Sequence, residues 1–258
     1  MRVFVTRRIP EVGLERMRDA GLELDIWPEE LPPDHRTLVD RARGCHGILS
    51  LLTDTIDAEV MDAAGPNLKV VSNLAVGYNN IDLVEAARRG VAVGNTPDVL
   101  TDATADLAMA LLLAAARRLG EAQEFVKAGA WRTWNPLQHI GVDLAGKTLG
   151  VFGMGRIGSA LARRCAGGWG MDLVYCARTP KPDLAPPHAR HVDFPTLLEV
   201  ADFVSVHAPL TPQTKGVFDA QAFDAMKPTA VFVNTARGGL HNQADLYDAL
   251  AGERIFAA

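Results

Sequence analysis

Gly153-Met154-Gly155-Arg156-Ile157-Gly158 directly follows the apolar run Thr148–Phe152 and opens a helical pattern carrying Ile157, Leu161 and Cys165 on one side. A glycine-rich turn between a strand and a helix is the setting of a dinucleotide-binding fingerprint. The first glycine makes the tight turn, the second admits a pyrophosphate to the backbone, and the third lets helix and strand pack closely. The helix start then offers N–H groups and a positive dipole end to phosphate oxygens. A glycine-rich turn without a ligand is the alternative.

Outward from that loop, short apolar runs alternate with helix-period segments. Strands are predicted at 2–6, 23–27, 47–52, 68–73, 91–95, 148–153, 172–177, 203–207 and 230–234. Helical patterns fall at Val12–Ala20, Asp34–Ala42, Ile81–Arg89, Arg156–Cys165 and Asp245–Leu250. This alternation predicts βαβ units, and the nearly continuous apolar strands predict parallel sheets covered on both faces. The class is α/β, with two Rossmann-like, doubly wound domains.

The middle of the chain breaks the rhythm. Thr101 is a candidate N-cap, and Leu107, Leu111, Ala115 and Leu119 keep helical spacing, so one helix is expected over 101–119. The loop-rich stretch Gly129–Gly146 follows with Trp131 and Trp134, and Pro180–Pro187 reads as a surface loop. A boundary near 96–100 divides the chain into 1–98 and 99–258.

The composition narrows the function. The chain has 258 residues, 48% hydrophobic and 22% charged, with net charge −5. That balance argues against a nucleic-acid or anionic-membrane surface, which needs clustered Lys and Arg. Cys45, Cys165 and Cys176 form no CxxC pair and read as small buried residues of a reducing compartment. The longest apolar helical stretch, Leu107–Ala116, is about half of what a bilayer requires. The N-terminal residues read as a strand rather than a signal peptide. A cytoplasmic protein is expected.

Two further segments point to chemistry. At the end of the strand after the glycine loop, where NAD sites place an acid for the ribose 2′-OH, stand Ala177, Arg178 and Thr179. Arg178 can pair with a 2′-phosphate and Thr179 can donate to it, so NADP is expected in preference to NAD; a solvated turn arginine is the other reading. Asn234-Thr235-Ala236-Arg237-Gly238-Gly239 follows the strand at 230–234, which directs Arg237 to the crevice outside the strand ends. A guanidinium there can grip a carboxylate through two charge-assisted bonds. A surface turn arginine is again the plainer alternative.

These segments, together with Val76-Gly77-Tyr78-Asn79-Asn80-Ile81-Asp82, Asn95-Thr96-Pro97 and Thr101-Asp102-Ala103-Thr104-Ala105-Asp106, resemble the D-2-hydroxyacid dehydrogenases, and within them the glyoxylate/hydroxypyruvate reductases. The resemblance spans the whole chain. It implies a cofactor domain inserted into a flavodoxin-like substrate domain, and NADPH-dependent reduction of a small 2-oxo acid to the D-2-hydroxy acid. The N–H groups of Val76 and Gly77 would bind the carboxylate beside Arg237, and Leu51 and Leu52 would line the pocket. Cofactor contacts would come from Gly153, Gly155, Arg156, Ile157, Gly158, Arg178, Thr179, His207, Ala208, Pro209, Thr235, Ala236 and Arg237. A homodimer would form through helix 101–119 and the arm with Trp131 and Trp134, unless those tryptophans only pack within the arm.

The family's acid is a His paired with a Glu, in a Pro-His and a Glu-Pro turn after the Arg237 helix. Neither turn occurs in 1–258, and Ile255–Ala258 reads as an interrupted strand, so a longer chain is expected. No histidine present replaces the acid: His207 matches a cofactor-side position, His241 is expected to be exposed, and His188 and His191 flank a proline-rich loop without a third metal ligand. A non-catalytic dinucleotide-binding protein of the same fold is the alternative function.

Overall fold

In the computed structural model, which describes residues 1–258, two compact units follow one another, Met1–Val99 and Leu100–Ala258. The first contains strands β1 (Arg2–Val5), β2 (Glu23–Ile26), β3 (Gly47–Ser50), β4 (Val70–Asn73) and β5 (Ala92–Gly94). Its helices are α1 (Glu11–Asp19), α2 (His35–Ala42), α3 (Ala58–Ala64) and α4 (Leu83–Arg88). All strand pairs are parallel, in the order β2-β1-β3-β4-β5, which is the flavodoxin-like winding.

The period of two along β1 divides its core. Phe4 packs with Leu38 and Val39 of α2 and Val60 and Met61 of α3, whereas Val3 and Val5 pack with Leu14 of α1. Three helices begin at aspartates whose carboxylates accept a backbone N–H: Asp34 from Thr37, Asp57 from Val60, and Asp82 from Glu85.

The second unit opens with α5 (Thr101–Ala116) and α6 (Leu119–Lys127). Its sheet holds β6 (Thr148–Phe152), β7 (Asp172–Cys176), β8 (Arg190–His191), β9 (Phe203–Val206) and β10 (Val231–Asn234), parallel in the order β10-β9-β6-β7-β8. Around it lie α7 (Arg156–Trp169), α8 (Phe194–Val200), α9 (Ala220–Asp224) and α10 (Gln243–Ala251). Ala257 makes a parallel bridge to Val231, placing 255–258 along the free edge of β10. The result is the doubly wound order of dinucleotide-binding folds.

Leu149 and Val151 of β6 face Met109 and Leu112 of α5 and Leu161 of α7; Phe152 faces the opposite layer, with Leu197, Phe218 and Phe232. Gly150 is the contact point for α8, because a β-carbon there would lie 2.8 Å from the Ala201 β-carbon.

All nine predicted strands form, trimmed by a residue or two at their ends. The helix expected over 101–119 does not run through. It ends at Ala116, Arg118 takes a left-handed φ of 53°, and α6 starts at Leu119. The cause is the crossing of residues 141–142: the Val142 N–H donates to the Ala116 carbonyl at 2.9 Å, and Gly141 lies against that oxygen. Nor is Thr101 the cap, since Leu100 occupies that position without a side-chain bond. No helix is long and apolar enough to cross a membrane. All three cysteines are unpaired; Cys45 and Cys165 are buried and Cys176 is half-buried.

Candidate active site

The loops leaving β6, β7, β9 and β10 share one edge of the second sheet. The chain winds outward from β6 through β7 and β8 on one side and then crosses from β8 to β9 on the other, and such a switch point opens a crevice outside the strand ends. The three loop glycines have distinct surroundings. Gly153 has φ 101°, and a β-carbon on it would meet the Ala208 nitrogen at 2.5 Å. Gly158 lies against the Gly153 carbonyl and Val151, where a β-carbon would approach to 2.4 and 2.9 Å. Gly155, the N-cap of α7, has nothing within 4 Å of that position and makes no side-chain cap bond.

A turn at Gly153, an open helix N-terminus at Gly155 and a close helix contact at Gly158 therefore occur in the order the fingerprint requires. Met154 points inward and is buried. Arg164 fixes α7 to α5 through Asp102 and Asp106, at 3.0 and 2.7 Å.

The other expected contacts border the same edge. Ala177, Arg178 and Thr179 follow β7, with Arg178 and Thr179 exposed and Asp172 at the strand's far end. The Ala177 carbonyl accepts from His191 Nε2 at 2.9 Å. His207 is bonded to Ser205 Oγ at 2.9 Å, and burial pushes its pKa down to about 4, so its ring is neutral near pH 7. Ala208 is buried and Pro209 exposed. Thr235 Oγ1 is buried without a hydrogen-bond partner, an orphan acceptor and donor at the strand ends. The open glycine, the helix start and this hydroxyl fit a nicotinamide dinucleotide.

After β10, Asn234 shapes the loop that carries Arg237. Its Oδ1 accepts from the Ala236 N–H, and its Nδ2 donates to the Arg237 carbonyl, both at 2.9 Å. The same Nδ2 reaches His241 Nδ1 at 3.0 Å. His241 is thus half-buried, with its ring edge-on to Phe232, not exposed as expected from its place after the Arg237 loop. Burial lowers its pKa, in keeping with a ring nitrogen that accepts.

In the first unit, the loops after β3 and β4 carry Leu51, Leu52, Val76 and Gly77. Leu52 is exposed, and the other three are half-buried. Asp54 is buried behind the first loop, accepting the Leu51 N–H at 2.8 Å and pairing with Arg7 at 3.2 Å. The sequence reading missed this carboxylate, and also Asn73 and Asn80, which bond to both loops.

The first unit thus has a flavodoxin-like sheet and the second a dinucleotide-binding sheet, an arrangement that defines a two-unit nucleotide-dependent α/β protein. Residues 109–258 match the family described as D-isomer specific 2-hydroxyacid dehydrogenase, NAD binding domain. The glyoxylate reductase of Korarchaeum cryptofilum is 48% identical over 251 residues, covering 96% of this chain and 75% of that protein. The human glyoxylate reductase/hydroxypyruvate reductase is 46% identical over 260 residues, covering 100% of this chain and 79% of that protein. A crystal structure of the TT0316 protein from Thermus thermophilus superposes with a TM-score of 0.92 at 45% identity, over 100% of this chain and 80% of the other. The chain belongs to the D-isomer specific 2-hydroxyacid dehydrogenases, a family of nicotinamide-dependent oxidoreductases. Nothing in these likenesses supports the non-catalytic alternative.

Proposed function

We propose that this protein reduces a small 2-oxo acid, glyoxylate or hydroxypyruvate, to the D-2-hydroxy acid with NADPH. The observation that carries the reading is the glycine loop, where only Gly155 is open, at the start of the 14-residue helix α7. The names of the K. cryptofilum and human relatives favour the substrate class.

The bound nicotinamide supplies a hydride to the carbonyl carbon. The N–H groups of Arg156, Ile157 and Gly158 at the α7 start hold the pyrophosphate, and Thr235 and Ala236 border the same cofactor. Arg178 and Thr179 take the 2′-phosphate, supported by the lack of an acid directly after β7. The N–H groups of Val76 and Gly77 bind the substrate carboxylate. Arg237 is the second anion-binding group and stabilises charge developing on the carbonyl oxygen. The reduction takes up one proton, ultimately from solvent, to complete the alcohol; that role is not assigned to His207, whose ring is kept neutral near pH 7 by burial.

The protein works as a homodimer in this reading. Leu107, Leu119, Val126, Trp131, Trp134 and Leu137 all leave more than half of their surface exposed, along α5, α6 and the segment after them. An apolar surface of that extent marks an interaction site. Three unpaired cysteines suit a reducing cytoplasm.

The test is Arg237→Ala, assayed by glyoxylate-dependent oxidation of NADPH. Losing a charged carboxylate contact should lower kcat/KM by roughly 100-fold or more. Undiminished turnover would remove Arg237 from its assigned role.

A further inference from the structure

Three consecutive carbonyls in the loop after β4 are held by donors from elsewhere in the first unit. Ala75 O accepts from the Thr96 N–H at 2.9 Å, Val76 O from Asn95 Nδ2 at 2.8 Å, and Gly77 O from Asn73 Nδ2 at 2.7 Å. Every peptide bond here is trans, and a trans peptide directs its N–H opposite to its carbonyl. The N–H groups sharing these three peptides belong to Val76, Gly77 and Tyr78. None of them donates to a protein acceptor.

Such a run of unpaired donors on a partly buried loop needs water or a ligand. Successive backbone N–H groups in a turn can form an anion-binding nest.

The amides behind the loop are themselves locked. Asn73 is fully buried; its Oδ1 accepts from Ser50 Oγ at 2.9 Å, and its Nδ2 also reaches Asn80 Oδ1 at 3.1 Å. Asn80 Nδ2 donates to the carbonyls of Leu51 and Asp54, at 3.0 and 2.9 Å. Carbonyl oxygens only accept, so each of these contacts fixes which end of the amide faces it. The network ties the β3 loop to the β4 loop.

We propose that Asn73 and Asn95 are positioning residues for the substrate carboxylate, holding the Gly77 and Val76 carbonyls back so that the Tyr78 N–H joins those of Val76 and Gly77 in a three-donor nest. This rests on the reading of the protein as a 2-oxo acid reductase. Neither side chain touches the acid; each sets the rotation of one peptide plane. Asn95 is the informative one, because it is exposed and its removal leaves the buried network whole.

Calorimetric titration of oxalate, a mimic of small 2-oxo acids, into the NADPH-loaded protein tests this. Asn95→Ala should weaken oxalate about tenfold, the effect of one lost hydrogen bond. NADPH affinity should stay within about twofold and the thermal midpoint should not move, while Asn95→Gln, which restores an amide donor, should recover part of the loss. Asn73→Ala should weaken oxalate more and lower the midpoint; if it fails to fold, Asn95→Ala still decides. Wild-type oxalate affinity in Asn95→Ala overturns the proposal. A wild-type protein that binds NADPH but no oxalate overturns the 2-oxo acid reading, and the nest with it.

Discussion

Gly153 sits so close to Ala208 that a β-carbon on the glycine would lie 2.5 Å from the alanine nitrogen. The β6 and β9 loops therefore meet backbone to backbone, and the His207–Pro209 turn is set by the glycine loop.

This separates two glycines that a motif treats alike. Gly153→Ala adds both a clash with backbone and strain at φ 101°, and should destabilise the protein by about 2 kcal/mol or more. Gly155→Ala meets open space at an ordinary φ of −93°, and should leave the thermal midpoint in place. Its NADPH affinity should nonetheless fall roughly tenfold or more, because the methyl would enter the space proposed for the pyrophosphate. Thermal melts beside NADPH fluorescence titrations distinguish the pair.

The proposed contact of Arg178 with a 2′-phosphate makes it the residue that would choose between the two dinucleotides. Arg178→Ala should raise KM for NADPH by roughly tenfold, the worth of one charge-assisted contact, and leave KM for NADH within about twofold. Equal effects on both cofactors would place Arg178 away from the 2′-phosphate.

His207 gives the fold an acid-sensitive limb. Its ring titrates at about 4 in the folded protein against an ordinary 6.5. Between those values the unfolded chain takes up a proton that the folded protein refuses. The stability associated with this ring is thus present above about pH 6.5 and is lost as pH falls toward 4. From pH 6.5 to 4.5 the wild type should lose about 1–2 kcal/mol more than His207→Gln, measured by urea unfolding at each pH.

The exposed apolar side chains of α6 and the following segment predict assembly. Trp134 and Leu137 are 77% and 78% exposed. The wild type is expected to sediment as a dimer, and the double variant Trp134→Ala, Leu137→Asp as a monomer. An unchanged sedimentation coefficient would exclude this surface as the interface.

The parallel core was legible in the sequence because its strands are continuous apolar runs. The strand β8 was not: it is two polar, exposed residues, Arg190 and His191, recruited by pairing with Val174 and Tyr175. The short helix α8 carried a readable start, Asp193 as cap and Pro195 in the first turn, but its seven residues show barely two turns of periodicity. At the site, the glycine loop, Arg178 and Arg237 stand in local patterns. Two of the amides that fix the β3 and β4 loops do not: Asn95 lies 19 residues from the Val76 carbonyl it holds and Asn80 lies 29 from that of Leu51, and no local spacing encodes such pairs. His241 was misread for a similar reason, since its burial depends on Asn234 and Phe232 rather than on its neighbours in sequence.

The two strand orders also bear on how the chain is made. In β2-β1-β3-β4-β5, each strand synthesised after β1 docks at an edge that already exists, and none has to be inserted between two earlier ones. In β10-β9-β6-β7-β8 the same holds, outward first on one side of β6 and then on the other. Both sheets can therefore grow by edge accretion as the polypeptide emerges from the ribosome, leaving at each stage only the newest strand edges in need of protection.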